Sequence, residues 1–200
     1  MRVLSIDVGY RNLSVCAARW CPERRHLKFV GAYVGDALDG RKPRSHAITC
    51  FKVLQRLDSL LVERWGGFKP EHVVIERQHR GVNVPIAHAL QGYFFPIEVS
   101  FLPPKHKFLA PAHLGLECPS GDLKRAATEC LEGLIFASPQ NLCLDPVKDC
   151  FSERRREKRK VDDIADSCIQ LLSYLQASHG ILLERPAGHQ EGTAEHPSGL

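Results

Sequence analysis

The sequence predicts a mixed α/β domain: a five-stranded mixed sheet flanked by helices. Three observations lead there. The chain opens on MRVLSIDVGYRN, whose Val3, Leu4, Ile6 and Val8 form the near-continuous apolar run of a strand covered on both faces. Strand-like segments then alternate with segments of helical period through the middle of the chain. Near the end, Val161, Ile164, Ala165, Cys168, Leu171, Leu172 and Leu175 trace one apolar helix face, the cleanest amphipathic pattern in the sequence.

Residues 2–8 and 13–19 read as strands joined by the short turn GYRN, hence a hairpin, and 26–34 (HLKFVGAYV) continues the meander. Residues 35–44, with Gly, Asp, basic side chains and Pro43, form a loop. From 47 to 65 apolar residues recur at Ile48, Phe51, Leu54, Leu57, Leu61, Val62 and Trp65, a helical period that Gly66 and Gly67 stop. HVVIE at 72–76 is a short buried strand ending in Glu76. Residues 84–95 read as a helix, and 97–102 as a strand halted by Pro103-Pro104. Ser120 caps a helix over 122–136 whose buried face is Leu123, Ala126, Ala127, Cys130, Leu131 and Leu134. A loop with Pro139 and Pro146 leads to a basic run, and the last helix starts near Val161. After Gly180 the composition turns to Gly, His, Glu, Pro and Ser. Residues 1–182 are therefore expected to form one domain and 183–200 a disordered tail. A three-stranded meander, then helix, strand, helix, strand and two helices, is the ordering of an RNase H-like fold.

Two hundred residues suffice for one domain with a real core. The 44% hydrophobic and 25% charged fractions are those of a soluble globular chain. A formal net charge of +4 permits nucleic acid as a partner without requiring it. Clustering says more: RRREKRK places six basic residues at 154–160, interrupted only by Glu157. Eight cysteines occur with no CxxC. Cys16, Cys50, Cys130 and Cys168 fall on apolar faces, the pattern of reduced core thiols in a cytosolic-type compartment. The ten histidines do not pair with cysteines at zinc-ligand spacings. The chain enters its first strand at once, so no signal peptide is expected. No apolar run approaches the length of a membrane span.

Asp7 interrupts the first apolar strand, where an unpaired carboxylate would be costly to desolvate. A cation side chain, backbone amides or a metal ion can compensate it, and metal is the reading favoured by the acids that follow. Glu76 ends the fourth strand, where parallel pairing with the first would set it beside Asp7. Asp162, Asp163 and Asp166 open the last helix. At 100° per residue, Asp162 and Asp166 lie about 40° apart and Asp163 and Asp166 about 60°, so all three are expected on one side, away from the leucines. Carboxylates held this close repel one another. Hard oxygen ligands at a site open to phosphate suit Mg²⁺ or Mn²⁺ rather than zinc. Two such ions roughly 4 Å apart can activate a water and stabilise the leaving oxygen in phosphodiester hydrolysis.

Each piece has an ordinary explanation. A strand Asp is more often a hydrogen-bonded structural group, and a Glu after a strand is usually solvated. Asp162 and Asp163 gain from the helix dipole in any first turn. Their conjunction in this order is what points to a metal site. The basic run taken alone is a solvated face. Beside the acids, Arg154, Arg155, Arg156, Lys158, Arg159 and Lys160 can hold a DNA backbone through phosphate contacts. Lys160, nearest the acids, is the one expected at the scissile phosphate. Lys105 and Lys107 after the proline pair, and Gln78 and Arg80 after Glu76, are further candidates for DNA contact. Tyr93, Phe94 and Phe95 read as core, and Tyr10 less so because it lies in the turn beside Asp7.

The segments LSIDVGYRNLSVC, VVIERQ and KRKVDDIADSCIQLL resemble the poxvirus Holliday junction resolvases, relatives of bacterial RuvC and of the yeast mitochondrial resolvases. The motifs run in order over residues 3–172; IERQ and K-x-DDIADS are the specific parts. The resemblance implies an RNase H-like fold, a homodimer and a Mg²⁺-dependent endonuclease in which Mn²⁺ substitutes. It also implies paired, symmetrical nicks in strands of like polarity at a four-way DNA junction, in the processing of branched viral replication DNA in the host cytoplasm. The catalytic acids it implies are Asp7, Glu76 and the aspartates of DDIAD, Asp166 joined by Asp163 or Asp162, with Asp7, Glu76, Asp162, Asp163 and Asp166 as the candidate metal ligands and Lys160 the catalytic cation expected from its place beside them. Neither a membrane nor a small-molecule cofactor is expected. A two-fold dimer would present two equivalent sites to a junction of approximate two-fold symmetry and grip it more tightly than one duplex arm. The helix over 122–136 and the last helix are the expected interface.

Three rival readings remain open to the sequence. Another RNase H-superfamily nuclease, for instance one cutting RNA–DNA hybrids, would use the same acids. An actin-like ATPase domain also opens on a strand with Asp and Gly, but needs a second Gly-rich phosphate loop that is missing here. A non-enzymatic basic DNA-binding protein leaves the acids unexplained.

Overall fold

Hydrophobic alternation sets the sheet. In the computed structural model, which describes residues 1–42, 45–78, 81, 83–113 and 123–181, β1 (Arg2–Asp7), β2 (Leu13–Cys21) and β3 (His26–Gly35) form the expected antiparallel meander. β4 (His72–Glu76) pairs in parallel with β1, and β5 (Val99–Leu102) in parallel with β4. A sixth strand, β6 (Leu142–Cys143), pairs with β3, so the order is β5-β4-β1-β2-β3-β6 rather than five strands. Two residues are too few to show a period, so only the partner strand reveals β6.

β1 is covered by a helical layer on each face, which explains its continuous apolar run. Its side chains alternate between two cores: Val3 faces the layer containing Ile164, Ala165 and Leu171, while Leu4 and Ile6 face Val53, Leu57, Ile86 and Leu90. The second layer is made by α1 (His46–Ser59) and α2 (Asn83–Tyr93). Ser45 caps α1 by accepting the Ile48 N–H at 3.2 Å. α1 runs on into a π-helical turn, Leu60–Arg64, before Gly66 and Gly67 leave it at φ +60 and +73. The first layer contains α3 (Leu109–His113), α4 (Leu123–Ala137), α5 (Asp145–Arg156) and α6 (Asp162–His179). Gly180, at φ +62, ends α6.

Three expectations change. The segment read as a loop before the basic run is the helix α5. Its Pro146 sits in the first turn, where proline loses no hydrogen bond, and only Val147 and Phe151 are buried, so its polar surface hid the period. α6 is more than one-faced: every residue from Asp163 to Leu175 is buried, because the helix is wedged between β1, β2 and α4 with α3 beside it. That leaves α6 no free face along this length for the dimer interface expected of it. Phe95, read as core, is 82% exposed, and Tyr93 is partly exposed, while Phe94 is buried as expected. The helix start at Ser120 and Asp122 and the tail 183–200 lie outside the described residues. Among the described cysteines, Cys16, Cys130 and Cys168 are buried. No helix among the described residues is long and apolar enough to cross a membrane.

Candidate active site

β1 and β4 run side by side in parallel, with Ile6 opposite Ile75. One residue further along each strand stand Asp7 and Glu76. Because side chains alternate, they turn away from the Ile6 and Ile75 layer and toward α6. The first turns of α6 cross this end of the sheet. There Asp7, Glu76, Asp163 and Asp166 line one cavity of about 450 Å³. The β1–β2 turn from Gly9 to Asn12 forms one wall, and Gln78, Asn83, Pro104 and Lys124 complete the lining. The turn is tight: a Cβ on Gly9 would stand 3.1 Å from the Asn12 carbonyl oxygen. Four acids distant in sequence therefore line one opening.

Asp163 and Asp166 are each only 8% exposed. The Oδ2 of Asp163 is buried and has no hydrogen-bond partner among the described residues. Burial, then the neighbouring Asp162 charge, pushes the Asp163 carboxyl above the usual range; Lys124, Arg154 and Lys160 pull it back in part. Among the described residues no three Asp, Glu, His or Cys side chains already stand close enough to cage a metal ion. The acids thus share a cavity wall rather than a closed cage. A hard divalent cation fits this donor set, since it would satisfy the orphaned Asp163 oxygen and offset the like charges around it.

Asp162 has a partner of its own. Its Oδ2 pairs with Lys124 Nζ at 3.3 Å, and it does not line the cavity. The three helix acids share an arc of about 100° with Asp166 between the other two, and Asp162, at one edge of that arc, pairs across to α4. Lys124 is the residue that sequence reasoning missed. A single lysine at the start of a helix carries no pattern, and only the packing of α4 on α6 brings it to the acids. Its ammonium is held protonated above the usual range by the Asp162 hydrogen bond and charge, with Asp163 and Asp166 adding to the effect. Asn83 and the turn residues Tyr10 and Arg11 also line the cavity without having been singled out as contacts.

The basic run divides by role. Arg154 donates from Nε to the Lys160 carbonyl at 2.5 Å and reaches the Val34 carbonyl at 3.4 Å, bracing α5 against β3. Arg155 pairs with Glu132 of α4 and lies over the Phe151 ring at 5.1 Å. Arg159 pairs with Glu157 at 3.1 Å. Arg156, Lys158 and Lys160 are exposed at the corner between α5 and α6. Lys160 is not in the cavity lining, although its charge reaches Asp163. Gln78 lines the cavity, and Lys105 is exposed on the 3₁₀ turn Pro104–Phe108. Arg80 and the side chain of Lys107 lie outside the described residues.

No family model and no curated protein matches the sequence. Solved structures do match the fold. The fowlpox virus Holliday junction resolvase is 18% identical with a TM-score of 0.57, over 88% of this chain and 99% of that one. The yeast mitochondrial Holliday junction resolvase Ydc2 is 18% identical with a TM-score of 0.59, over 87% and 77%. RuvC of T. thermophilus, in complex with a Holliday junction substrate, is 15% identical with a TM-score of 0.54, over 92% and 99%. These are the groups that the sequence motifs resemble, and the chain shares their fold.

Proposed function

We propose that the chain is a divalent-metal-dependent endonuclease that resolves four-way DNA junctions by paired symmetrical nicks. One observation carries this reading: acids from β1, β4 and α6 line a single cavity, and one of their buried oxygens lacks a partner. The fold shared with three junction resolvases, two of them also solved on a junction, supports it.

Asp7, Glu76, Asp163 and Asp166 would hold Mg²⁺ or Mn²⁺, which supplies an activated water and offsets charge at the scissile phosphate. Lys124, kept protonated by Asp162, offers a cation at the cavity rim to a phosphate oxygen that accumulates charge. It takes the part that the sequence assigned to Lys160, which lies farther out with Arg156 and Lys158 and serves to grip the flanking backbone. Asp162 acts in this scheme as the anchor of Lys124 and not as a ligand. The wall formed by the β1–β2 turn and Gln78 limits which strand can approach.

A homodimer completes the proposal, because two equivalent sites match the two equivalent strands of a junction. With α6 engaged inside the protomer, exposed apolar side chains such as Ile48 and Phe51 on α1 and Phe136 at the end of α4 would be available to a partner. The setting carried over from the motif resemblance is the processing of branched viral DNA in the host cytoplasm.

The test offers the protein a synthetic four-way junction, a flap and an RNA–DNA hybrid, with Mg²⁺ and with chelator. Metal-dependent nicks at the junction that a ligase reseals directly are expected. Preferential cutting of the hybrid, or junction binding without scission in Mg²⁺, would overturn the proposal.

A further inference from the structure

α6 is fastened to the sheet by polar side chains where an apolar helix would have packed. Ser167, immediately after Asp166, has its Oγ 2.7 Å from Ser14 Oγ, and Ser14 is the register partner of Asp7. Gln170, one turn below Asp166, is 1% exposed and donates from Nε2 to the carbonyls of Val74 at 3.3 Å and Ile6 at 3.5 Å. Ile6 immediately precedes Asp7, and Val74 lies two residues before Glu76. One side chain thus touches both strands that end in cavity acids, while rising from the helix that supplies the other two.

The amide orientation is dictated by its surroundings: two carbonyl oxygens can only accept, so the NH₂ must face them. The Gln170 Oε1 is then left buried with no partner among the described residues, as is the Oγ of Ser5, which lies opposite Val74 in the sheet. For stability alone an apolar residue of the same length would serve better, since it would leave no orphaned acceptor. Neither does apolar packing fix the height of a helix on a sheet, because dispersion is non-directional, whereas two hydrogen bonds to two strands do.

We propose that Gln170 is a positioning residue, a tie that sets the gap between the strand acids Asp7 and Glu76 and the helix acids Asp163 and Asp166. The inference rests on the nuclease reading above and says which residue holds the metal site to its spacing. It requires that loss of the tie weakens metal binding without loosening the fold.

The experiment titrates Mg²⁺ alone into the full-length protein, at fixed ionic strength and without DNA, and reads the rise in melting temperature. Gln170→Met keeps length and volume while losing the amide. It should melt at or above the parent temperature without metal, yet need about tenfold more Mg²⁺ for half the rise, the lower end of what outer partners of metal ligands contribute. Ser173→Ala removes another buried α6 hydrogen bond, the one that accepts the Ala110 N–H at 3.1 Å. It should lower the metal-free melting temperature and leave the Mg²⁺ midpoint in place. Gln170→Asn, one methylene short of the strands, should repeat the midpoint shift and carries the test if the methionine variant fails to fold. A parent-like midpoint in the Gln170 variants, with a parent that binds Mg²⁺ and cuts junctions, overturns the inference alone. A parent that neither responds to Mg²⁺ nor cuts removes the nuclease reading and the inference together.

Discussion

Replacing Asp163 by Asn should make the metal-free protein more stable and the metal-loaded protein less so. Two effects compete at this position. Asp163 lies in the first turn of α6, where a negative charge gains about 0.3–1 kcal/mol from the helix dipole. Against that, the carboxylate is 8% exposed, has one oxygen without a partner and stands next to the Asp162 charge. A buried polar group left unpaired costs about 1–3 kcal/mol, and more when charged. An amide in this place stays buried and unpaired, so Asn removes only the added cost of the charge and its repulsion from Asp162; that still outweighs the dipole, with a net gain of about 1 kcal/mol, or roughly 2–4 °C in melting temperature for a chain of this size. Urea unfolding in chelator measures this directly. In Mg²⁺ the order should reverse, because the parent gains binding free energy that the variant has lost. A fall in metal-free stability, with the Mg²⁺ increment intact, would show Asp163 to be a dipole-stabilising surface acid and would refute the reasoning.

Asp7→Asn should keep the fold and junction binding and abolish cutting; nicking retained with Mg²⁺ supplied would count heavily against the site. Asp162→Asn should lower turnover about tenfold by freeing Lys124 while the Mg²⁺ midpoint stays put, and a shifted midpoint would make Asp162 a ligand. In the basic run, Arg155→Ala should cost about 0.5–1 kcal/mol of stability through lost pairing and stacking, with the salt dependence of DNA binding unchanged. Joint replacement of Arg156, Lys158 and Lys160 by Ala should flatten the slope of log affinity against log salt by about 3, and an unchanged slope would place the DNA elsewhere. Burial and the nearby His72 hold the His179 imidazole below its ordinary value of 6.5. The unfolded chain therefore binds more protons just below pH 6.5, so stability should fall as pH drops through that window. His179→Phe should flatten this fall in a melting series across pH 5 to 7; an equal slope in the variant would assign the titration to another group.

What the sequence determined by itself is what local pattern can encode. An apolar run broken by one acid marks the central strand, since only a strand covered on both faces tolerates such a run, and HVVIE is a strand with the bounds His72–Glu76. Alternation then sends Asp7 and Glu76 to the same face once the two strands pair. The helical period marked α1 and α6, and the acid motif at the start of α6 marked the site. Tertiary structure decided the remainder. β6 exists because Leu142 finds Leu27, and α5 because two apolar residues suffice when β3 and α6 cover them. Lys124 reaches the acids through helix packing, and that contact gives Asp162 a partner that the Asp163 Oδ2 lacks among the described residues, a difference periodicity cannot show. Gln170 carries no local signal, and only the two strands that close over it give it a part. Periodicity records which face of an element is buried; it holds no record of which distant residue meets that face, and at this cavity those meetings assign the roles.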